Sequence, residues 1–592
     1  MKYISHLYRD RIQKKMRLAS TLVGLLLLIP VWGQTIPEER VTRWSNAGLL
    51  TPLDTNLVEI NVLNHGVVAD GSTPADSAVN ALIQLHAPCR LFFPGGAYYF
   101  EDGIRLKSGI ALEGESQTVF TFNTHNETHL IQGSGGVDPV KTGLEYDAQI
   151  HDEFIVVAQT GAFQLGDLVR ISDQDSSLIT SSWALNSTGQ LCRIERIEGD
   201  TLWFRSPLRR AYEISNAPYV QLVRPIENIS IKRIEIQNLK ETAAQTNSIL
   251  LRYSQNCLIT CVKSFSCNYA HVRLENSTNV EVVGSYFKDG HNYGGGGKAY
   301  GVAIMFASGE CLVTQNYFAH LRHSMLLQAG ANGNVFSYNY SVDPYWDDVL
   351  LPAKSAGDMV LHGNWVYMNL FEGNVCQNIV IDDSHGANGP FNTFFRNRAQ
   401  LYGIFMNFGT PSHQQNFIGN EITNDGALLG MYYLSGNDHF EFGNVVRGVI
   451  TPQNTANLTQ ASLYLKQAPS YFNYRSQWPP IGPPHAMDAF TIELVDRVAS
   501  GLTVKCQDTV YQSLPAEPAL IVYPNPTATM LYMKGLVLED ATYVLFNAAG
   551  QCVMSGALVQ PYLYTGHLPP GVYVIRLQNK ETALYTARFV KT

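Results

Sequence analysis

Between residues 286 and 398 this 592-residue chain gathers groups able to move protons and hold charge. Lys288-Asp289-Gly290-His291-Asn292-Tyr293 leads into four glycines, Gly294 to Gly297, then Lys298. His320, Arg322 and His323 follow, and Trp346 stands beside Asp343, Asp347, Asp348 and Asp358. His362, the run Asp382-Asp383-Ser384-His385, and Arg396 with Arg398 complete the set. Two chemistries fit. Elimination next to a carboxylate needs a base for the α proton, positive charge for the enolate, and a donor for the leaving oxygen. His323 or Lys298 is the candidate base, Arg322, Arg396 or Arg398 the charge, and His291 or Tyr293 the donor. Inverting hydrolysis instead needs two carboxyl groups set around a water. Asp382 and Asp383 are that pair, although neighbours on a strand point to opposite faces and need a bend to cooperate.

Tyr293, His320, Trp346, His362, His385, Arg396 and Arg398 are the candidate substrate-binding residues. Asp347, Asp348 and Asp358 offer oxygen ligands for calcium. Four successive glycines cost backbone entropy and suit a tight loop close to a ligand. The loop is not a phosphate cradle, because Lys298 lacks the Ser or Thr that follows it there. Histidines and arginines also satisfy turn carbonyls, and aspartates cap turns, so the structural reading of each residue stays open.

These residues must be positioned by a repeat. Asn316 to Asn339 spans 23 residues, Asn369 to Asn392 spans 23, and Asn392 to Asn416 spans 24, each followed by a short apolar run. Such a period marks a solenoid, and three short strands with turns fill one coil. Each coil buries its inward side chains against the coils above and below. Asn at a fixed turn tolerates left-handed backbone and can bond to the Asn one coil along. The predicted fold is all-β: a single-stranded right-handed parallel β-helix with a small C-terminal β-sandwich. Stacking then brings residues some 23–31 positions apart within one strand spacing of each other, about 4.8 Å.

The repeat occupies residues 34–515, with an irregular insertion near 130–225. A short helix opens it, with Asp76 or Ser77 as cap and Val79, Leu82 and Ile83 as buried face. His65-Gly66-Val67-Val68-Ala69-Asp70-Gly71-Ser72 and Phe93-Pro94-Gly95-Gly96-Ala97-Tyr98 then carry a resemblance. They resemble the opening of the pectate-lyase-like (rhamnogalacturonase/epimerase-like) β-helix superfamily, with Pro74-Ala75-Asp76-Ser77 where paired aspartates are usual. The resemblance implies an extracellular polysaccharide substrate. With the site residues it favours a lyase on a uronate-containing glycan, with an inverting glycoside hydrolase and a non-catalytic glycan-binding protein as alternatives. Pro469, Pro479, Pro480, Pro483 and Pro484 mark a cap over the last coil, which otherwise exposes unpaired edges.

Residues 519–592 read as a separate antiparallel sandwich. Tyr523-Pro524-Asn525-Pro526, Leu568-Pro569-Pro570-Gly571-Val572-Tyr573 and the basic end Arg588 to Thr592 resemble the C-terminal sorting domain of the type IX secretion system of Bacteroidetes. Export machinery of that type is the implied partner, and the outside of the cell the implied location. Residues 1–33 read as a signal peptide: a basic leader, an apolar run from Leu18 to Val31, and a break at Gly33. That run reaches about 14 residues where a membrane span needs roughly 20. Removing residues 1–33 takes away six basic residues and one acidic, leaving 35 against 49. So acidic a chain excludes a broad basic surface for nucleic acid. Nine cysteines leave at least one unpaired. Cys257, Cys261, Cys267, Cys311 and Cys376 are expected to pack inside as small apolar residues.

Overall fold

Three short strands make one coil. Leu312–Thr314 leads, Tyr317–Ala319 follows a two-residue turn, His323–Gln328 comes next, and Val335–Ser337 returns to pair in parallel with Leu312–Thr314. Val313, Phe318, Met325 and Leu327 point inward and are fully buried. A single coil is too small to bury them, so stacking supplies the core. Along one row the rings of Phe336, Phe371, Phe394 and Phe417 stack with centroids 5.2, 5.1 and 5.3 Å apart. Repetition gives a 13-stranded first sheet and a 21-stranded assembly holding a second and a third row. This is the right-handed parallel β-helix that the period predicts. The computed structural model describes residues 35–348, 354–407, 409–472, 477–506, 521–523, 527–534, 541–547, 551–578 and 584–592. The predicted leader 1–33 and Pro524-Asn525-Pro526 lie outside the described residues.

The asparagines form two ladders, not one. Asn316, Asn339, Asn374, Asn397, Asn420 and Asn444 line the turn from the first sheet to the second row, each side-chain amide donating to the next side-chain oxygen. Asn334, Asn369, Asn392 and Gln415 line the turn from the third row back to the first sheet. Asn416 belongs to neither: it accepts from Arg40 and donates to Thr393.

The insertion is a six-stranded antiparallel sheet with strands from Gly136–Gly143 to Tyr219–Arg224 and its own core around Val169, Ile171, Leu202 and Val220. It does not break the coil: Ile110–Gly114 pairs directly with Ser230–Lys232. Its foot is the buried Arg209, which bonds Asn332 at 2.9 Å and pairs with Glu310. The helix Asp76–His86 buries Val79, Leu82 and Ile83, but neither Asp76 nor Ser77 caps it. Ala75 holds the cap position, and Asp76 instead accepts from the Glu101 amide at 2.9 Å.

Two straps run along the outside. Residues 35–58 descend the first sheet, tied by Trp44 to Met368, Leu49 to Glu281 and Thr51 to Asn256. Residues 452–472 and 477–506 descend the first ladder, tied by Arg396 to Ile481 and Pro483, Trp478 to Tyr338, and Lys505 to Gly284. The proline-rich segment thus braces many coils and is not only a cover for the last. It ends in a disulfide, Cys506 to Cys261. Cys261 is therefore not one of the packed thiols; Cys257, Cys267, Cys311 and Cys376 are. Beyond it, the C-terminal unit has one three-stranded and one four-stranded antiparallel sheet around Leu531, Leu545, Ile575 and Phe589.

Three sealed carboxyls set a pH dependence. Burial outweighs the hydrogen bonds that Glu281, Asp358 and Glu372 accept and raises each to about 7. The unfolded chain releases these protons near the ordinary carboxylate value of about 4. The folded chain therefore binds more protons in between, and this share of stability is full below about pH 4 and lost as pH rises through 7. The urea midpoint of Glu372→Gln, read against wild type from pH 4 to 8, should gain relative to wild type as pH rises. A constant difference across that range would refute the assignment.

Candidate active site

The third row carries the site on its outer face. Inward and outward residues alternate, and stacking aligns the outward ones in register. Met305 pairs with Gln328 in that register. Gln328 donates to the His362 carbonyl at 3.0 Å, the Asp382 amide to the Leu361 carbonyl at 2.8 Å, and the Asn407 amide to the Ile381 carbonyl at 3.1 Å. Met305, Gln328, His362, Asp382 and Asn407 thus form one outward column across five coils. Tyr300 and His323 pair at the other end of their strands. Tyr269, Tyr300, Ala303, Met305 and Leu326 form an apolar floor.

A cleft of about 300 Å³ opens over that floor, lined among others by Trp183, Arg273, Arg322, His362 and His385. The glycine loop bounds one flank, through Gly296 and Gly297. Arg322 donates to the carbonyls of Gly294 (3.0 Å) and Gly296, and its guanidinium lies 4.7 Å from the Trp346 ring centroid. A side chain at Gly297 would meet the Tyr269 ring at 2.4 Å, so the loop needs glycine there to close on the floor. The insertion bounds the other flank, presenting the half-exposed Trp183 edge-on to Phe306.

Three imidazoles sit in sequence. The ring centroids of His323 and His362 are 5.4 Å apart, and those of His362 and His385 are 4.8 Å apart. His362 Nδ1 lies 2.5 Å from Asp382 Oδ2, a close polar contact without the alignment of a good hydrogen bond. Burial would raise the Asp382 carboxyl. His362, the Ser384 amide (2.9 Å) and the Asn407 amide (2.6 Å) outweigh it and hold the group far below the usual range. Burial and the neighbouring His362 and Arg322 push His323 well below the ordinary imidazole value. The same causes lower His385, with Asp382 partly opposing. His323 Nδ1 meets the Gly357 carbonyl at 2.8 Å and therefore donates to it, which leaves Nε2 with a lone pair.

The sequence candidates divide. Arg322, His323, His362, Asp382 and His385 converge, with Trp346 behind Arg322. Asp383 does not join them. It accepts from the Ser412 amide at 3.1 Å and Asn388 at 3.2 Å, turned away from Asp382 as strand alternation requires. His291 bonds the Asn238 carbonyl, Tyr293 the His320 carbonyl, and His320 pairs with Asp343 at 2.7 Å, all outside the cleft lining. Lys298 is half-buried on the glycine loop and also outside the lining. Arg396 spends its guanidinium on strap carbonyls, and Arg398 spends its own on Glu421, Asp488 and the Phe490 carbonyl, so neither meets the cleft. Asp358 is sealed, accepting from Ser341 and the amides of Gln377 and Asn378, whereas Asp347 and Asp348 are exposed. Among the described residues no group of three or more His, Cys, Asp or Glu is arranged to hold a metal ion. Trp183, Gln245, Tyr269, Arg273, Tyr300, Met305 and Gln328 complete the lining, none of them given a catalytic or binding role from sequence.

Residues 59–195 match the family model described as rhamnogalacturonase A/epimerase, pectate lyase-like, and residues 521–592 match the secretion system C-terminal sorting domain. No curated protein matches the chain at a significant level. Among solved structures the chain is similar to the Gp54 tailspike of Acinetobacter baumannii bacteriophage AP22, solved with A. baumannii capsular saccharide, at 12% identity and TM-score 0.38, covering 67% of this chain and 72% of that one. It is also similar to a family 28 exopolygalacturonase of Yersinia enterocolitica at 11% identity and TM-score 0.31, covering 65% and 78%. The A-module of the mannuronan C-5 epimerase AlgE4 of Azotobacter vinelandii matches at 12% and 0.31, covering 64% and 95%.

Proposed function

For a chain that carries a pectate-lyase-like domain and a C-terminal type IX sorting domain, we propose an exported enzyme that cleaves a uronate-containing polysaccharide by β-elimination. The observation that carries this reading is the make-up of the cleft. It brings imidazoles and guanidiniums together with Asp382, a carboxylate held ionised by His362. Inverting hydrolysis calls for a second, protonated carboxyl, and Asp383 faces elsewhere. Elimination calls for what is present. His362, held by Asp382, removes the proton α to the sugar carboxyl. Arg322 and Arg273 offset the charge that builds on that carboxyl as the enolate forms. The departing glycosidic oxygen takes its proton from solvent water beside His385, which lines the cleft. No step is assigned to calcium.

The product decides. Incubation with polygalacturonate, alginate and neutral glycans, followed by mass spectrometry, should give fragments one water lighter than hydrolytic ones from a uronate polymer only. Fragments carrying added water would overturn the reading, and so would a uronate epimerised without cleavage. Trp183 offers its ring to a sugar face. Trp183→Ala should raise KM by about 10-fold with kcat little changed. An equal fall in kcat at constant KM would place Trp183 in the chemistry instead.

A further inference from the structure

The first sheet carries a second hollow, far larger than the cleft and on another face of the helix. It measures about 550 Å³ and lies where the N-terminal strap passes at residues 51–57. Its floor is set by register: Ala111, Ser230 and Leu258 align in one outward column, and Glu113, Lys232 and Thr260 in the next. Small side chains in neighbouring coils leave a trough running along the helix axis, with one strand spacing of about 4.8 Å per coil.

The charge of this trough runs against that of the chain. The protein holds 50 acidic residues against 41 Lys plus Arg, yet Arg90, Lys232, Arg233 and Lys505 line the trough with Asp54, Glu113 and Glu281 as the only carboxyls. Glu113 is already shared, by Arg233 at 2.9 Å and Arg90 at 3.5 Å. Lys505 leans on Glu493 at 3.8 Å and on the Tyr471 ring. Lys232 stands at the centre of the floor, half-buried, with Glu113 beside it in the same column as its one favourable charge, while burial, Arg233 and Arg90 act against its ammonium. One carboxylate shared among Arg90, Arg233 and Lys232 leaves the half-buried ammonium short of negative charge, and a ligand carboxylate is what offsets that cost.

We propose that this trough is a second glycan site, holding carboxylate-bearing sugar residues away from the cleft with Lys232 as its central anchor. The class of ligand rests on the reading of the cleft as uronate-directed; the trough itself does not. The strap gives the site its lid-side wall through Leu53 and Leu57, apolar surfaces suited to the faces of sugar rings.

Calorimetric titration of the full chain carrying Asp382→Asn tests it, with tetragalacturonate and tetramannuronate as probes and cellotetraose as the neutral control. Two sites per chain are expected for at least one uronate. One of them should weaken about 10-fold or more in Lys232→Glu and in the milder Lys232→Gln, while Arg322→Ala weakens the other. Melting curves of each variant guard against loss of fold. A single site that survives both Lys232 substitutions overturns the proposal. So does a second site that takes cellotetraose equally well, and so does the absence of any uronate binding. The two readings fail separately. A chain that eliminates but binds one tetrasaccharide loses the trough alone. A chain that binds two through Lys232 and Arg322, yet never eliminates, loses the lyase reading and keeps the trough.

Discussion

Asp382→Asn is expected to lower kcat about 10³–10⁴-fold with the fold intact, as amides do in place of the carboxylate that orients a catalytic imidazole. The substitution keeps volume and keeps an oxygen for the Ser384 and Asn407 amides, so packing changes little. What it removes is the negative charge 2.5 Å from His362 Nδ1. Without that charge the imidazole loses the carboxylate its Nδ1 faces in the cleft. Substrate binding rests on other groups, so KM should stay near wild type. The comparison variant is Asp383→Asn. Its carboxyl faces Ser412 and Asn388, and its loss should show in stability rather than in turnover. Equal falls in kcat for the two variants would return the paired-carboxyl mechanism to first place. An Asp382→Asn enzyme within a few-fold of wild type would remove His362 as the base.

Asn397→Ala is expected to be the most damaging of the simple stability variants, at about 3 kcal/mol or more. Asn397 is fully buried and occupied on every side. Its amide donates to Phe371 O and Asn420 Oδ1, and its oxygen accepts from both the backbone and the side chain of Asn374, at 2.9 to 3.1 Å throughout. Alanine leaves those donors and acceptors buried and unpaired, and burial without a partner costs more than the bond itself contributes. The damage spreads along the ladder, because each amide is fixed by the next. A denaturant midpoint and limited proteolysis would measure it. A loss below about 1 kcal/mol would mean that the ladder is a consequence of the stack and not a support of it. Coil arrays need not unfold in one step, so the protease-sensitive segment should be identified together with the midpoint.

The ladder also shows how far a sequence can be read. The 23-residue spacing was visible because a turn repeated identically in space must repeat in sequence. Spacing alone did not separate two ladders that share the same residue type. Asn339 to Asn374 spans 35 residues, because that coil carries the excursion through Trp346 and Asp358. The 23-residue intervals from Asn316 and from Asn369 therefore belong to different ladders. Alternation told which side chains point out of the coil but not onto which of its three faces. Arg322, His323, His362, Asp382 and His385 lie together on the third row. Arg396 and Arg398 point outward as well, but on a face claimed by a strap folded back from 62 to 92 residues later in the chain. Trp183 had no local signature at all. Its place depends on how the insertion docks, through Arg209 and Glu310, and that contact joins residues 101 positions apart.

The bond between Cys261 and Cys506 joins positions 245 residues apart and ends the C-terminal strap part-way down the stack. It fixes where mechanical load enters the molecule. Tension on the chain beyond residue 506 reaches the body at the coil of Cys261, through a covalent crosslink. The strap from residue 452 to 505 carries none of it, and neither do the last coils, whose ends would otherwise peel first. With the crosslink reduced, the same tension would run along the strap and unzip its hydrogen bonds one by one, beginning at Lys505 and Gly284. An enzyme tethered by its C-terminal end in moving fluid would then come apart from the strap, while the crosslinked form would be pulled across the width of its stack.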